Sequence, residues 1–107
     1  VLRTIQDQQR VDIPISAGQA LLLPPRVPHS PQRIENSVGL VVERQRREDE
    51  LDGFQWYCDN CDALLYEEYL HVSDIVNQLP PVFDRFFASV AIRTCDHCGT
   101  IKPDRQS

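Results

Sequence analysis

Residues 18–33 read GQALLLPPRVPHSPQR, and this stretch decides how the chain is to be read. Its spacing is Gly18, five residues, Pro24, one residue, Arg26, two residues, His29, three residues, Arg33. An apolar run, residues 20–23, leads into Pro24, Pro25, Pro28 and Pro31. These prolines hold the backbone extended, remove ladder donors and restrict the residues before them. A loop stiffened in this way loses little entropy on ordering, so it can hold His29 in a fixed direction.

Outward from this stretch, the first half of the chain reads as strands. Residues 1–5 and 11–15 are short β-rich runs split by a polar turn at residues 6–10. Residues 16–18 form a turn, and residues 20–23 are of the continuous, buried-strand type. Residues 39–42 form another apolar strand that delivers Glu43 at its end. Four strands with frequent turns predict a piece of a barrel or sandwich, too few to close a barrel alone.

The character changes after Glu50. WYCDNC at residues 56–61 and CDHCG at residues 95–99 are two CxxC knuckles separated by residues 62–94. Each brings two thiolates together from a tight turn, and two such turns complete a tetrahedral sulfur site of Cys58, Cys61, Cys95 and Cys98. The competing reading is two disulfides in one of three pairings. No secretory signal opens the chain, so a reducing, cytoplasmic setting and a metal are favoured. Four thiolates select zinc or iron without distinguishing them. Such a closed site stabilises the fold, and with iron bound it can also be redox-active. Between the knuckles, residues 64–72 alternate as a strand, Ser73 is placed to cap a short helix ending at Leu79, and Pro80-Pro81 to open a second. Phe83, Phe86, Phe87 and Val90 fall on one helical face and read as packing. His71 and His97 read as surface or turn residues, because the knuckles already supply four ligands.

Composition narrows the function classes. The 107 residues carry a net charge of −5 and are 41% hydrophobic and 25% charged, which is ordinary for a globular domain and excludes a general nucleic-acid binder. Arg44, Arg46 and Arg47 are followed at once by Glu48, Asp49 and Glu50, a solvated charged turn. No apolar run approaches the roughly 18 residues of a membrane span.

The spacing at residues 18–33 resembles the second motif of the cupin barrels, G-x5-P-x-G-x2-H-x3-N, with Arg26 and Arg33 in place of its second Gly and final Asn. The strings LLLPPRVPHSPQR, GLVVERQR, DGFQWYCDNC and CDHCG, in this order, resemble the bacterial-type 3-hydroxyanthranilate 3,4-dioxygenases over nearly the whole chain. The resemblance implies a mainly β cupin barrel, here incomplete, over residues 1–50, and a rubredoxin-like four-cysteine extension with short helices over residues 51–107. It also implies an extradiol-type oxidoreductase with non-haem Fe(II), held by two histidines and one glutamate. The implied reaction opens the ring of 3-hydroxyanthranilate with O2 to give 2-amino-3-carboxymuconate semialdehyde. That product leads to quinolinate and NAD in the kynurenine route of tryptophan breakdown. Carried over by residue, His29 is the second iron histidine and Arg33 grips the substrate carboxylate. Glu43 contacts the substrate's ring substituents as a catalytic and substrate-binding residue. Cys58, Cys61, Cys95 and Cys98 hold the second metal, iron or zinc. A homodimer is the implied assembly. Gln19 departs from the Asp common after the motif's Gly.

One expected element is missing from this sequence. No histidine precedes His29, so the first cupin motif, with its histidine and glutamate, is not among these residues. The chain therefore reads as the C-terminal part of the enzyme, inactive by itself. Two alternatives remain. One is a metal-binding cupin without turnover, favoured if the cavity beside His29 were apolar. The other is a zinc-ribbon interaction module, which would make residues 1–50 an appendage, against their strand-rich composition.

Overall fold

The computed structural model describes residues 1–104, which divide into two compact units, Val1–Glu43 and a second beginning at Arg44. The division falls before the expected boundary at residue 50. Arg44 and Arg46 explain the difference, because they pair forward with Glu50 (2.5 Å) and Asp52 (2.7 Å) and bind the charged turn to the second unit.

In the first unit, β1 (Leu2–Gln6) lies between β2 (Gln9–Ile13) and β3 (His29–Pro31), antiparallel to both. The β1–β2 connection is shorter than the expected five-residue turn. Asp7 and Gln8 alone make it, with φ of 50° and 64°, the signature of a type I′ hairpin turn. The second strand therefore begins at Gln9 and ends at Ile13, not residue 15. Arg3 and Asp12, opposite each other in the register, form an ion pair at 3.2 Å on one face. Leu2 and Thr4 are buried on the other face, where the Thr4 hydroxyl donates to the Val11 carbonyl at 2.7 Å. β3 is an edge strand, so Pro31 can sit there without losing a ladder bond.

Two expected strands do not form. Residues 20–23 and 39–42 have no regular structure, and Leu22 is 94% and Leu40 91% exposed. A strand persists only where a neighbour takes its backbone hydrogen bonds, and neither run has a ladder partner among the described residues. No closed barrel is present among those residues; the first unit is a three-stranded sheet.

In the second unit, β4 (Asp52–Tyr57) pairs antiparallel with β5 (Leu64–Leu70), and α1 (Ile75–Phe87) packs its aromatic stripe on one face of the hairpin. The expected pair of helices is one. It starts one residue later than predicted, with Asp74 accepting from the Asn77 N–H as the cap. Gln78 Oε1 accepts from the N–H groups of Ser73 and Asp74, both at 2.7 Å. Pro80 and Pro81 lie inside the helix. Each deletes a backbone donor, which leaves the Val76 and Asn77 carbonyls without their helical partners. Both residues are exposed, so water can satisfy them, and the buried anchors Val82 and Phe86 carry the helix through. Phe83, Phe86 and Phe87 all contact Trp56, as packing predicts, whereas Val90 begins the separate short helix α2 (Val90–Arg93). No described helix is long and apolar enough to cross a membrane.

Candidate metal centre and the expected substrate site

The two knuckles are built alike. In the first, Cys58 N–H donates to the Ala63 carbonyl (2.8 Å) and Asp62 N–H to the Cys58 carbonyl (3.1 Å). In the second, Cys95 N–H donates to the Thr100 carbonyl (2.9 Å) and Gly99 N–H to the Cys95 carbonyl (2.9 Å). The fifth position of each turn is left-handed, with φ of 65° at Asp62 and 76° at Gly99. Asp and Gly are residue types that tolerate this region. The flanks repeat as well, since Tyr57 pairs with Leu64 and Thr94 with Ile101.

This shared geometry turns four sulfurs towards one point. All four Sγ atoms lie within 4.8 Å of one another, with Cys58 to Cys98 at 3.6 Å and Cys61 to Cys95 at 3.4 Å. Four sulfurs about 2.3 Å from a central ion would lie about 3.8 Å apart, so the set fits a tetrahedral ion. The four thiols are free, and these two pairs sit well beyond the ~2 Å of a disulfide, so the disulfide reading does not hold here. Among the described residues, these cysteines are the only group of His, Cys, Asp or Glu arranged to share an ion. Cys58 and Cys95, the first of each knuckle, are buried; Cys61 and Cys98 are exposed.

Without an ion the thiols share protons unevenly. The Thr100 hydroxyl, then Asn60 and the Thr100 backbone, bring the Cys98 thiol down to about 5. The Ala63 backbone acts to lower Cys61, but its neighbours Cys95, Cys98 and Cys58 push it up to about 12. Adjacent thiolates repel, so the last proton leaves reluctantly unless a cation replaces it.

A clasp missed by the sequence reading joins the knuckles. The Lys102 ammonium donates to the Tyr57 carbonyl (3.1 Å) and to Asp59 Oδ1 (2.6 Å) in the first knuckle. Its own backbone is bonded to Arg93, as Lys102 N–H donates to the Arg93 carbonyl and Arg93 Nη1 to the Lys102 carbonyl, both at 2.9 Å. Sequence offers no signal for this, because a lone lysine beyond the second CxxC has no motif.

In the first unit, His29 stands opposite Thr4 in the register and so shares the sheet face of Leu2 and Thr4. The ring is exposed, and its Nδ1 lies 2.9 Å from the Val27 carbonyl, which leaves Nε2 for another partner. The guanidinium of Arg33 lies over Gly39, where an added Cβ would come within 3.7 Å of Cζ. Glu43 is exposed at the end of the unit, outside any strand. His29 is part of no group of three metal-ligating side chains among the described residues, so they do not by themselves form an iron site of the implied kind. Arg26 occupies the position of the motif's second glycine, and its φ of 63° shows why glycine suits that place.

A family model described as 3-hydroxyanthranilic acid dioxygenase matches residues 1–87. A curated 3-hydroxyanthranilate 3,4-dioxygenase of Xanthomonas euvesicatoria is 52% identical over 103 residues, 96% of this chain and 58% of its own length. Proteins of the same name from Burkholderia cenocepacia and a Jannaschia species are 46% and 44% identical, covering 94% and 99% of this chain. The chain spans 57–59% of the length of these curated relatives.

Proposed function

Since the chain belongs to the 3-hydroxyanthranilic acid dioxygenase family, we propose that it forms part of a cupin enzyme that opens the ring of 3-hydroxyanthranilate with O2. The product would be 2-amino-3-carboxymuconate semialdehyde, on the route from tryptophan to quinolinate. The observation that carries this reading is the family match across residues 1–87, which contains His29, Arg33 and Glu43. Residues 1–50 then contribute the second cupin motif, and residues 51–107 the four-cysteine extension.

Within this reading His29 gives one imidazole ligand to a catalytic Fe(II), whose redox chemistry lets a closed-shell ring react with O2. Among the described residues His29 belongs to no group of three metal-ligating side chains. Arg33 binds the substrate carboxylate with charge-assisted, bidentate hydrogen bonds. Its guanidinium lies over Gly39, where only a hydrogen stands in place of a side chain and leaves it room. Glu43 orients or accepts the protons of the ring's hydroxyl and amine substituents. The four cysteines hold zinc or iron as a cross-link between the knuckles, apart from the reaction. We further propose a cytoplasmic homodimer, consistent with four free thiols.

The test is O2 uptake with 3-hydroxyanthranilate and added Fe(II) in two preparations. One is the 107-residue chain; the other joins it to the segment of the Xanthomonas relative that it does not cover. Uptake is expected only from the joined protein, with complete loss on His29→Ala and mainly a raised KM on Arg33→Ala. A joined protein that folds and binds Fe(II) but takes up no O2 overturns the dioxygenase reading.

A further inference from the structure

The two knuckles come from chain segments far apart in sequence, and the ion is not the only thing that draws them together. Lys102 Nζ reaches back to the Asp59 carboxylate and the Tyr57 carbonyl, the residues on either side of Cys58. Its main chain is held by two hydrogen bonds to Arg93, two residues before Cys95. Arg93 is buried, so the anchor on that side is fixed by packing. A single side chain therefore spans from the flank of one knuckle to the flank of the other.

We propose that Lys102 is a positioning residue for the four-cysteine metal site, setting the distance between the knuckles before an ion arrives. One physical effect follows from its placement. The clasp prepays part of the entropy of bringing two pairs of thiolates together, which strengthens binding. The knuckles' near-identity makes the point clearer, since the residue matching Lys102 by spacing in the first knuckle is Leu65, which cannot make such a bond. The clasp is one-sided, made by the lysine beyond the second knuckle.

The inference rests on the metal reading of the cysteines, and the experiment separates the two. Co(II) is titrated into the reduced 107-residue chain, and the thiolate-to-metal absorption reports sulfur ligation directly. Failure of the unsubstituted chain to develop that absorption would sink the metal reading itself. Affinity for Zn(II) is then measured by chelator competition in Lys102→Met, Lys102→Arg, Asp59→Asn and the double variant Lys102→Met/Asp59→Asn. Partners outside the ligand set typically contribute 10- to 100-fold in metal affinity. Lys102→Met is expected to lose at least 10-fold, Lys102→Arg to recover most of it, and the double variant to bind no more weakly than Lys102→Met alone. Trp56 fluorescence in the Zn(II)-loaded protein checks that the hairpin and α1 remain packed. If Lys102→Met does not fold, Asp59→Asn carries the test, because it removes the ion pair and leaves every backbone bond in place. Unchanged affinity in the folded variants, or losses that simply add in the double variant, overturn the positioning role.

Discussion

The indole of Trp56 lies flat on the ring of Phe86, with centroids 4.5 Å apart and planes 8° from parallel. Phe86 is fully buried and Tyr66 flanks the same stack at 6.0 Å, so this contact joins β4, β5 and α1 at one point. Burying an aromatic ring and filling its volume is worth about 3–5 kcal/mol against alanine. Phe86→Ala is therefore expected to destabilise the second unit by that amount in denaturant unfolding followed by Trp56 emission. A loss below about 1 kcal/mol would mean that α1 does not depend on the stack.

The same unit should depend on its ion. Binding only to the folded state stabilises by about 2.7 kcal/mol when free metal exceeds its dissociation constant 100-fold. Unfolding of residues 51–104, followed by hydrogen exchange, should shift to higher denaturant with Zn(II) and back with a chelator. Cys95→Ser should abolish the shift, since it removes a buried ligand. Identical exchange with and without metal would remove the cross-link from the account.

What was legible in the chain follows from the range of the interactions involved. The knuckles were readable because four cysteines and their turn residues encode the geometry within a few positions. The aromatic stripe was readable because Phe83, Phe86 and Phe87 repeat at the helical period. The extent of β2 was not, because Gln9 and Arg10 are polar and exposed, and its register comes from the turn at Asp7 and Gln8. The apolar runs at residues 20–23 and 39–42 carried a strand signal, but a ladder is a property of two segments, and a run supplies only one. Pro80 and Pro81 argued for a break that tertiary anchoring at Val82 and Phe86 overrode. Lys102 escaped notice because its partners lie 43 and 45 positions away.

Glu68 provides a pH test. Arg85 donates to both of its oxygens, at 2.6 and 2.9 Å, and the Tyr66 hydroxyl to Oε2 at 2.7 Å. The Arg85 guanidinium first, and then Tyr66, hold the Glu68 carboxyl below its usual range. A lowered folded value means that the stabilisation is complete above the unfolded pKa of about 4.3 and disappears as pH falls through the folded value. The stability of Glu68→Gln should therefore approach that of the parent chain as pH falls below about 4, and the gap should be widest at neutral pH. A gap that stays constant from pH 7 to pH 3 would show that Glu68 acts by packing alone.

Arg26 supplies the remaining test, beside the residue on which the family reading turns. Its φ of 63° places an L side chain in the left-handed region, at a cost of roughly 1–2 kcal/mol that glycine does not bear. Glycine's extra freedom in the unfolded chain offsets part of this, so Arg26→Gly should stabilise the first unit by on the order of 1 kcal/mol. The side chain is exposed, so no buried contact is given up. The substitution also restores the glycine of the cupin motif three residues before His29. It should leave the Thr4–His29 register and the Nδ1 contact with the Val27 carbonyl in place. Thermal unfolding measures the first effect and the His29 ring resonances the second. A destabilised Arg26→Gly chain would mean that the arginine makes an interaction stronger than the strain it carries.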